Sequence, residues 1–226
     1  MTFPDFKGRV AVVTGGSRGV GAAACRLLAA SGARVATVAR TEAPLQELVD
    51  ELRWIGSDAI GVVADCADPE SVTELRDCVE AELGPASVVL AFAGGDPVPA
   101  TVLDLDLDAW DRAVRADLRA TFLTVRAFLP AMLAAGSGAI VTMGAADEPS
   151  ERTNAAFAAA KAGVAAFTRQ VAAEVQDSGV RVNCLVRGFE CAPPADVAFA
   201  ALYLASTAAS CINATTLAIA GGKLRL

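Results

Sequence analysis

"RVAVVTGGSRGVGAAACRLL", residues 9–28, decides the fold. A β-branched run leads into a Gly-rich turn, and apolar residues at helical spacing follow it. Gly15, Gly19 and Gly21 sit on that turn. Glycines let a backbone approach a pyrophosphate closely, and a helix N-terminus supplies free N–H groups and a partial positive charge. Strand, turn and helix at the start of a β-α-β unit are the context that gives such a Gly triplet its meaning.

The same alternation continues along the chain. Strands are expected at 33–40, 58–65, 87–95, 138–145, 180–188 and 216–222. Helices are expected at 21–32, 43–56, 68–84, 154–177 and 194–206, with a long amphipathic stretch at 108–135. Repeated β-α-β units with apolar strands predict a parallel sheet covered by helices on both faces. No linker, repeat or low-complexity segment divides residues 1–226, so a single domain is expected.

Composition excludes several function classes. The chain has 226 residues, 54% of them hydrophobic, and a formal net charge of −7. The acidic balance argues against nucleic acid as a partner, because phosphate binding needs a basic surface. Arg126, Pro130, Lys161 and Arg169 interrupt the apolar stretches, so no charge-free run reaches the roughly 18 residues of a membrane span. The N-terminus lacks a basic region followed by an apolar one, which predicts a cytosolic protein. Six scattered cysteines without a CxxC read as small buried hydrophobes. There is no histidine. Ser-His-Asp triads, Cys-His dyads and His-ligated metal sites are therefore excluded, and no metal site is expected. Acid–base work falls to Asp, Glu, Lys, Cys or the one tyrosine, Tyr203.

The glycine spacing T-G-x-x-x-G-x-G resembles that of the short-chain dehydrogenase/reductase family. Asp65 ends the third strand, where the family's Asp contacts the adenine amino group. "AFAGG" (91–95) stands where the family carries Asn-Asn-Ala-Gly, and 200–222 is similar to its last helix and strand. The resemblance implies a doubly wound Rossmann α/β fold of about seven strands. It implies a cofactor held at Gly15, Ser17, Arg18, Gly19, Val20 and Gly21 on the first turn. Arg40, Asp65, Cys66, Ala93, Gly94 and Lys161 complete that set. An acid at the end of the second strand would hold a ribose 2′-OH. Ala39 and Arg40 stand there, and Arg18 adds a second cation, so NADP(H) is expected in preference to NAD(H).

The family's catalytic set is mostly missing. Its Tyr, which gives or takes the proton, aligns with Phe157. Its Lys aligns with Lys161, one helical turn on. Its Ser falls on Ala145, after Gly144, and its Asn on Asp117. The family's Pro-Gly after the sixth strand becomes Arg187-Gly188. Glu190 stands where the family has an apolar residue backing the nicotinamide amide, Ala192 stands where it has a Thr bonding the cofactor, and the lid segment is nearly absent before 194. If Lys161 keeps its place, Asp117 should reach it as an ion pair. Asp147, Glu148, Ser150, Glu151 and Arg152 lie on the loop that lines the family's substrate cleft.

Three functions follow from this pattern. The first is an NADP(H)-binding protein with a degenerate site, acting as a non-catalytic or scaffold subunit. The second is an enzyme of altered chemistry, such as a cyclase, isomerase or dehydratase. The third is an NADP-dependent carbonyl or alcohol oxidoreductase with a different proton donor. The family assembles through helices at 110–135 and 154–177 and the strand at 216–222, so a homo- or hetero-oligomer with a small-molecule ligand is expected.

Overall fold

Val10 to Thr14 pair in parallel with Arg34 to Val38 on one side, and Ala11 to Thr14 with Val88 to Ala91 on the other. These are the central strands of a seven-stranded sheet. The computed structural model describes residues 3–145, 153–188 and 192–219. The strands are β1 (Val10–Thr14), β2 (Arg34–Ala39), β3 (Ala59–Val63), β4 (Val88–Ala91), β5 (Gly138–Ala145), β6 (Val180–Arg187) and β7 (Thr216–Ile219), ordered 3-2-1-4-5-6-7. Every pairing is parallel. The order reverses between β1 and β4, and a crevice opens at such a switch point.

The helices are α1 (Gly19–Ala30), α2 (Glu42–Trp54), α3 (Pro69–Glu82), α4 (Leu107–Ala113), α5 (Ala120–Ala135), α6 (Ala155–Glu174) and α7 (Pro194–Ala205). One face of the sheet buries Phe6, Leu28, Leu52 and Leu202. The other buries Leu75, Phe128, Met132 and Val171. Local chemistry sets several starts. Asp68 caps α3 through the Ser71 amide, with Pro69 behind it, and Asn154 caps α6 by accepting from the Phe157 amide. Gly136, at φ +63°, ends α5.

The structure corrects some boundaries. The fourth strand was expected to run to residue 95 but stops at Ala91. The Phe92 and Ala93 amides both donate to the Thr14 hydroxyl, at 3.1 and 3.0 Å, which draws the chain out of the ladder. Helix α1 starts at Gly19, two residues earlier than its spacing suggested. Of the last strand, 216–219 is paired and 220–222 lie outside the described residues.

The stretch from Leu107 to Ala135 is one continuous helix of 29 residues, long and apolar enough to cross a membrane by length and composition. One side of it packs into the core. Leu123, Phe128 and Met132 are buried against the sheet, and Arg119 and Arg126 interrupt the apolar run. At Val114–Arg119 it widens into a π-helical turn, and Asp117 is the buried residue of that turn. Such turns insert a residue into a helix and often mark functional sites.

Of the cysteines, Cys25, Cys66 and Cys184 are buried and free, as expected of small core residues. Cys78 and Cys211 are exposed, which corrects that expectation for those two. Cys191 lies outside the described residues. Burial pushes the Cys25 thiol up to about 12 and the Cys66 thiol to about 11. Labelling with a thiol reagent at pH 8, read by peptide mass spectrometry, is therefore expected to mark Cys78 and Cys211 within minutes. Cys25, Cys66 and Cys184 should react only when the chain is unfolded, because thiolate and access are both needed. Labelling of Cys66 at the rate of Cys78 would contradict this packing.

Candidate active site

The glycine turn between β1 and α1 forms the floor of the crevice. Gly15 has φ +67°, and a Cβ there would stand 2.7 Å from the Phe92 carbonyl oxygen. A Cβ at Gly21 would collide with the Gly15 carbonyl. No side chain caps the N-terminus of α1, whose N-cap is Arg18 in an extended conformation, so its first amides face the crevice without a side-chain acceptor. Gly15→Ala combines this clash with a left-handed φ, which alone costs about 1–3 kcal/mol. It should lower the melting temperature. Gly19→Ala also has positive φ, but no atom lies within 4 Å of the new Cβ. It should be clearly milder by thermal unfolding, and equal effects would contradict the close-approach argument.

Two contiguous cavities run along the crevice. One, of about 350 Å³, is lined by Gly15, Ser17, Arg18, Ala39, Arg40, Asp65, Cys66, Ala93 and Gly94. The other, of about 410 Å³, is lined by Gly15, Arg18, Gly19, Val20, Gly21 and Gly94, and further by Ala145, Phe157, Lys161 and Arg187. Every position assigned to a cofactor by resemblance thus faces one crevice, spanning the carboxyl ends of β1 to β6.

The adenosine-side cavity holds contacts that the sequence did not suggest. Arg115, from the π-helical turn, reaches the Asp65 carboxylate at 2.7 Å, and the other Asp65 oxygen accepts from the Ala67 amide at 2.9 Å. Asp65 thus pins its own turn as well as facing the cavity. Arg18 crosses the crevice to Asp96 at 2.7 Å, with both side chains largely exposed. Arg40 is exposed at the rim, and no acid stands beside it at Ala39.

At the far end, Lys161 is buried on α6. Its Nζ lies 2.9 Å from Asp117 Oδ1, donates to the Met143 carbonyl at 3.2 Å, and sits 5.6 Å from the Phe157 ring centroid. The expected ion pair is therefore present and largely buried, with the Asp117 side chain 1% and the Lys161 side chain 10% exposed. Asp117 Oδ1 also accepts from the Gly95 amide at 3.3 Å, while Oδ2 is buried without a hydrogen-bond partner. Gly94 permits this arrangement, because a Cβ there would stand 2.5 Å from Asp117 Oδ1 and 3.2 Å from Lys161 Nζ. Ala145 ends β5 and offers no hydroxyl, and Phe157 offers a ring edge or face only. The acids at 147–151, with Arg152, and Glu190 lie outside the described residues. Tyr203 sits on α7, partly buried in the core on that face of the sheet, away from both cavities.

A parallel sheet with a glycine-floored crevice at its switch point, a helix N-terminus open to that crevice and a buried lysine at its end define a doubly wound dinucleotide-type protein. The comparisons sharpen that class. A sequence profile described as short chain dehydrogenase matches residues 9–192, and the chain belongs to the short-chain dehydrogenase/reductase family. It is 36% identical, over 96% of its length and 97% of the relative's, to a cis-4-hydroxycyclohexanecarboxylate dehydrogenase of Sinomonas cyclohexanicum. Among solved structures, it superposes with TM-score 0.92 on an NADPH-bound short-chain oxidoreductase of Pseudomonas aeruginosa PAO1 that contains an atypical catalytic centre. That match is 29% identical and covers 98% of this chain and 99% of the other. A 3-oxoacyl-[acyl-carrier protein] reductase of Brucella melitensis with bound NAD gives TM-score 0.92 at 28% identity, covering 99% of this chain and 94% of that one.

Proposed function

We propose that this protein binds NADP(H) and is disabled for the tyrosine-dependent carbonyl chemistry of its family. The observation that carries the second half is the Phe157, Lys161 and Asp117 cluster. No hydroxyl stands where a proton donor is needed, and the lysine that would lower that donor's pKa is instead held by a buried carboxylate. NADP(H), when bound, supplies or accepts a hydride. The residues that would hold it are the 15–21 turn with the α1 amides at its phosphates, Arg40 and Arg18 at a 2′-phosphate, and Lys161 at the far ribose. The family relatives are named dehydrogenases and reductases, which lends no support to a pure scaffold role.

A second reading is favoured by one observation. The Pseudomonas neighbour is an oxidoreductase with an atypical catalytic centre. An NADP-dependent oxidoreductase with a different proton source is therefore the alternative to a silent site. Assembly is part of the proposal, since α5 exposes Phe122 and Leu133, and Phe122 meets Phe167 of α6 edge-on. A cytosolic location accompanies this reading.

Cofactor choice is testable by calorimetry. NADPH is expected to bind at least about tenfold more tightly than NADH, since a charged donor facing a phosphate contributes roughly 1.5–3 kcal/mol. Arg40→Ser should remove most of that difference. Equal affinities in the wild type would contradict the assignment of Arg40 to a 2′-phosphate.

A further inference from the structure

The adenosine-side cavity is walled by small residues. Ala64, Ala67, Ala93, Ala116 and Ala120 line it, and side chains of that size leave width for a flat ring. Among the described residues, Asp65 is the one carboxylate that lines it. An ionised carboxylate only accepts hydrogen bonds, so it suits a ring that carries an amino group and repels one with a carbonyl in the same place. Both Asp65 oxygens are fixed from the protein side. Oδ1 accepts from the Ala67 amide at 2.9 Å, and Oδ2 accepts from the Arg115 guanidinium at 2.7 Å. Each oxygen has two lone pairs, so each can still accept once more. Arg115 itself does not line this cavity. It borders an open surface pocket with Arg112 and Arg119, behind the carboxylate. It comes from the π-helical turn Val114–Arg119, whose Ala116 does line the cavity and whose Asp117 holds Lys161 at the far end of the crevice.

We propose that Arg115 is a positioning residue for base recognition: it holds Asp65 so that the cavity takes an aminopurine in preference to a 6-oxopurine. The inference rests on the cofactor reading and adds a residue that sets which base is accepted. With the 2′-phosphate on Arg40, just after β2, the base falls on the side of β3, where Asp65 stands. Arg115 acts through that carboxylate. An acceptor held from two sides gives up no rotamer freedom when the base docks, which is preorganisation. The Asp65 side chain is 43% exposed. Without Arg115 the Ala67 amide alone would hold it, and water would compete for its second oxygen. Rigidity also sets the penalty for the wrong base. A fixed carboxylate facing a 6-oxo group sets lone pairs against lone pairs, whereas a carboxylate free to turn escapes that clash. Half-exposed pairs contribute little to folding, so the consequence of this one lies in binding.

The test compares NADPH with its hypoxanthine analogue, 6-deamino-NADPH, by fluorescence titration of the whole chain. The two share the dihydronicotinamide and every phosphate, so they differ only at the base. The wild type is expected to bind NADPH about tenfold more tightly, the effect of one hydrogen bond to a charged acceptor. Arg115→Met, which keeps an apolar stem and removes the charge, should cut that preference to under about threefold, and Arg115→Lys should restore part of it. Asp65→Asn should abolish the preference, because an amide can donate as well as accept, and adding Arg115→Met to it should change the ratio no further. Circular dichroism checks that each variant folds, with Arg115→Gln standing in for Arg115→Met if that one does not. Equal binding of the two dinucleotides by the wild type would overturn the proposal. So would a preference that survives in Arg115→Met, or a loss there that is the same for both. Those results leave the cofactor reading standing, whereas failure of either dinucleotide to bind at millimolar concentration overturns both.

Discussion

Phe157→Tyr combined with Ala145→Ser is expected to raise NADP(H)-dependent turnover by a factor of about 10²–10⁴. The two substitutions restore a proton donor on α6 and a hydroxyl at the end of β5, both on the wall of one cavity. Lys161 already lies one turn from Phe157, with its ammonium 5.6 Å from the ring centroid. A tyrosine hydroxyl would extend from that ring into the reach of the cation. Either substitution alone should recover little, because such residues act as a unit and their effects do not add. Asp117 limits the gain, since its carboxylate holds Lys161 at 2.9 Å and offsets the charge that would lower the tyrosine pKa. Adding Asp117→Asn should therefore raise the rate further. The assay follows absorbance at 340 nm with a panel of secondary alcohols that includes cis-4-hydroxycyclohexanecarboxylate, the compound named for one relative. A wild-type chain that already turns over at an ordinary enzyme rate of about 1–10³ s⁻¹ would favour the alternative proton source instead.

Lys161→Met is expected to cost about 3–5 kcal/mol of stability, the usual result of removing one partner of a buried pair. It leaves the Asp117 carboxylate 1% exposed, with the Gly95 amide at 3.3 Å as its remaining donor. For a domain of this size that is a fall of roughly 6–20 °C in melting temperature. Asp117→Asn should cost less, because Lys161 keeps the Met143 carbonyl and an amide oxygen can still accept from it. Replacing both charges, as Lys161→Met with Asp117→Leu, should return much of the loss, since a buried pair is often no better than apolar residues of similar volume. Urea unfolding of the wild type, Lys161→Met, Asp117→Leu and the double variant forms a double-mutant cycle. A loss under about 1 kcal/mol for Lys161→Met would mean that the pair is solvated in solution.

The sheet, its parallel order and the glycine crevice were legible because they rest on local signals, namely β-branched runs, glycine spacing and helical periodicity. The doubly wound arrangement of about seven strands came from the family resemblance, and the strand order is read from the structure. The pairing of Asp117 with Lys161 was legible only through that resemblance, because 44 residues separate the two and no periodicity links them. Thr14 was invisible as the residue that ends β4, since a threonine closing one strand gives no sign that it will take two amides from another. Arg115 on Asp65 and Arg18 on Asp96 join positions 50 and 78 residues apart through exposed side chains, which leave no pattern in the sequence. Arg187 was read as a lost proline, and its register opposite Ala145 was not legible in the sequence. Cys78 and Cys211 show the reverse limit. Composition favours buried cysteines, and surface placement in two of them overrode that tendency.

The most direct measurement is the fluorescence of NADPH titrated with the wild-type protein. The account predicts a saturable, one-to-one change in emission at micromolar protein, weakened by Gly15→Ala, because the crevice between β1 and β4 keeps its glycine floor and open helix amides. No change with cofactor at millimolar concentration would contradict it.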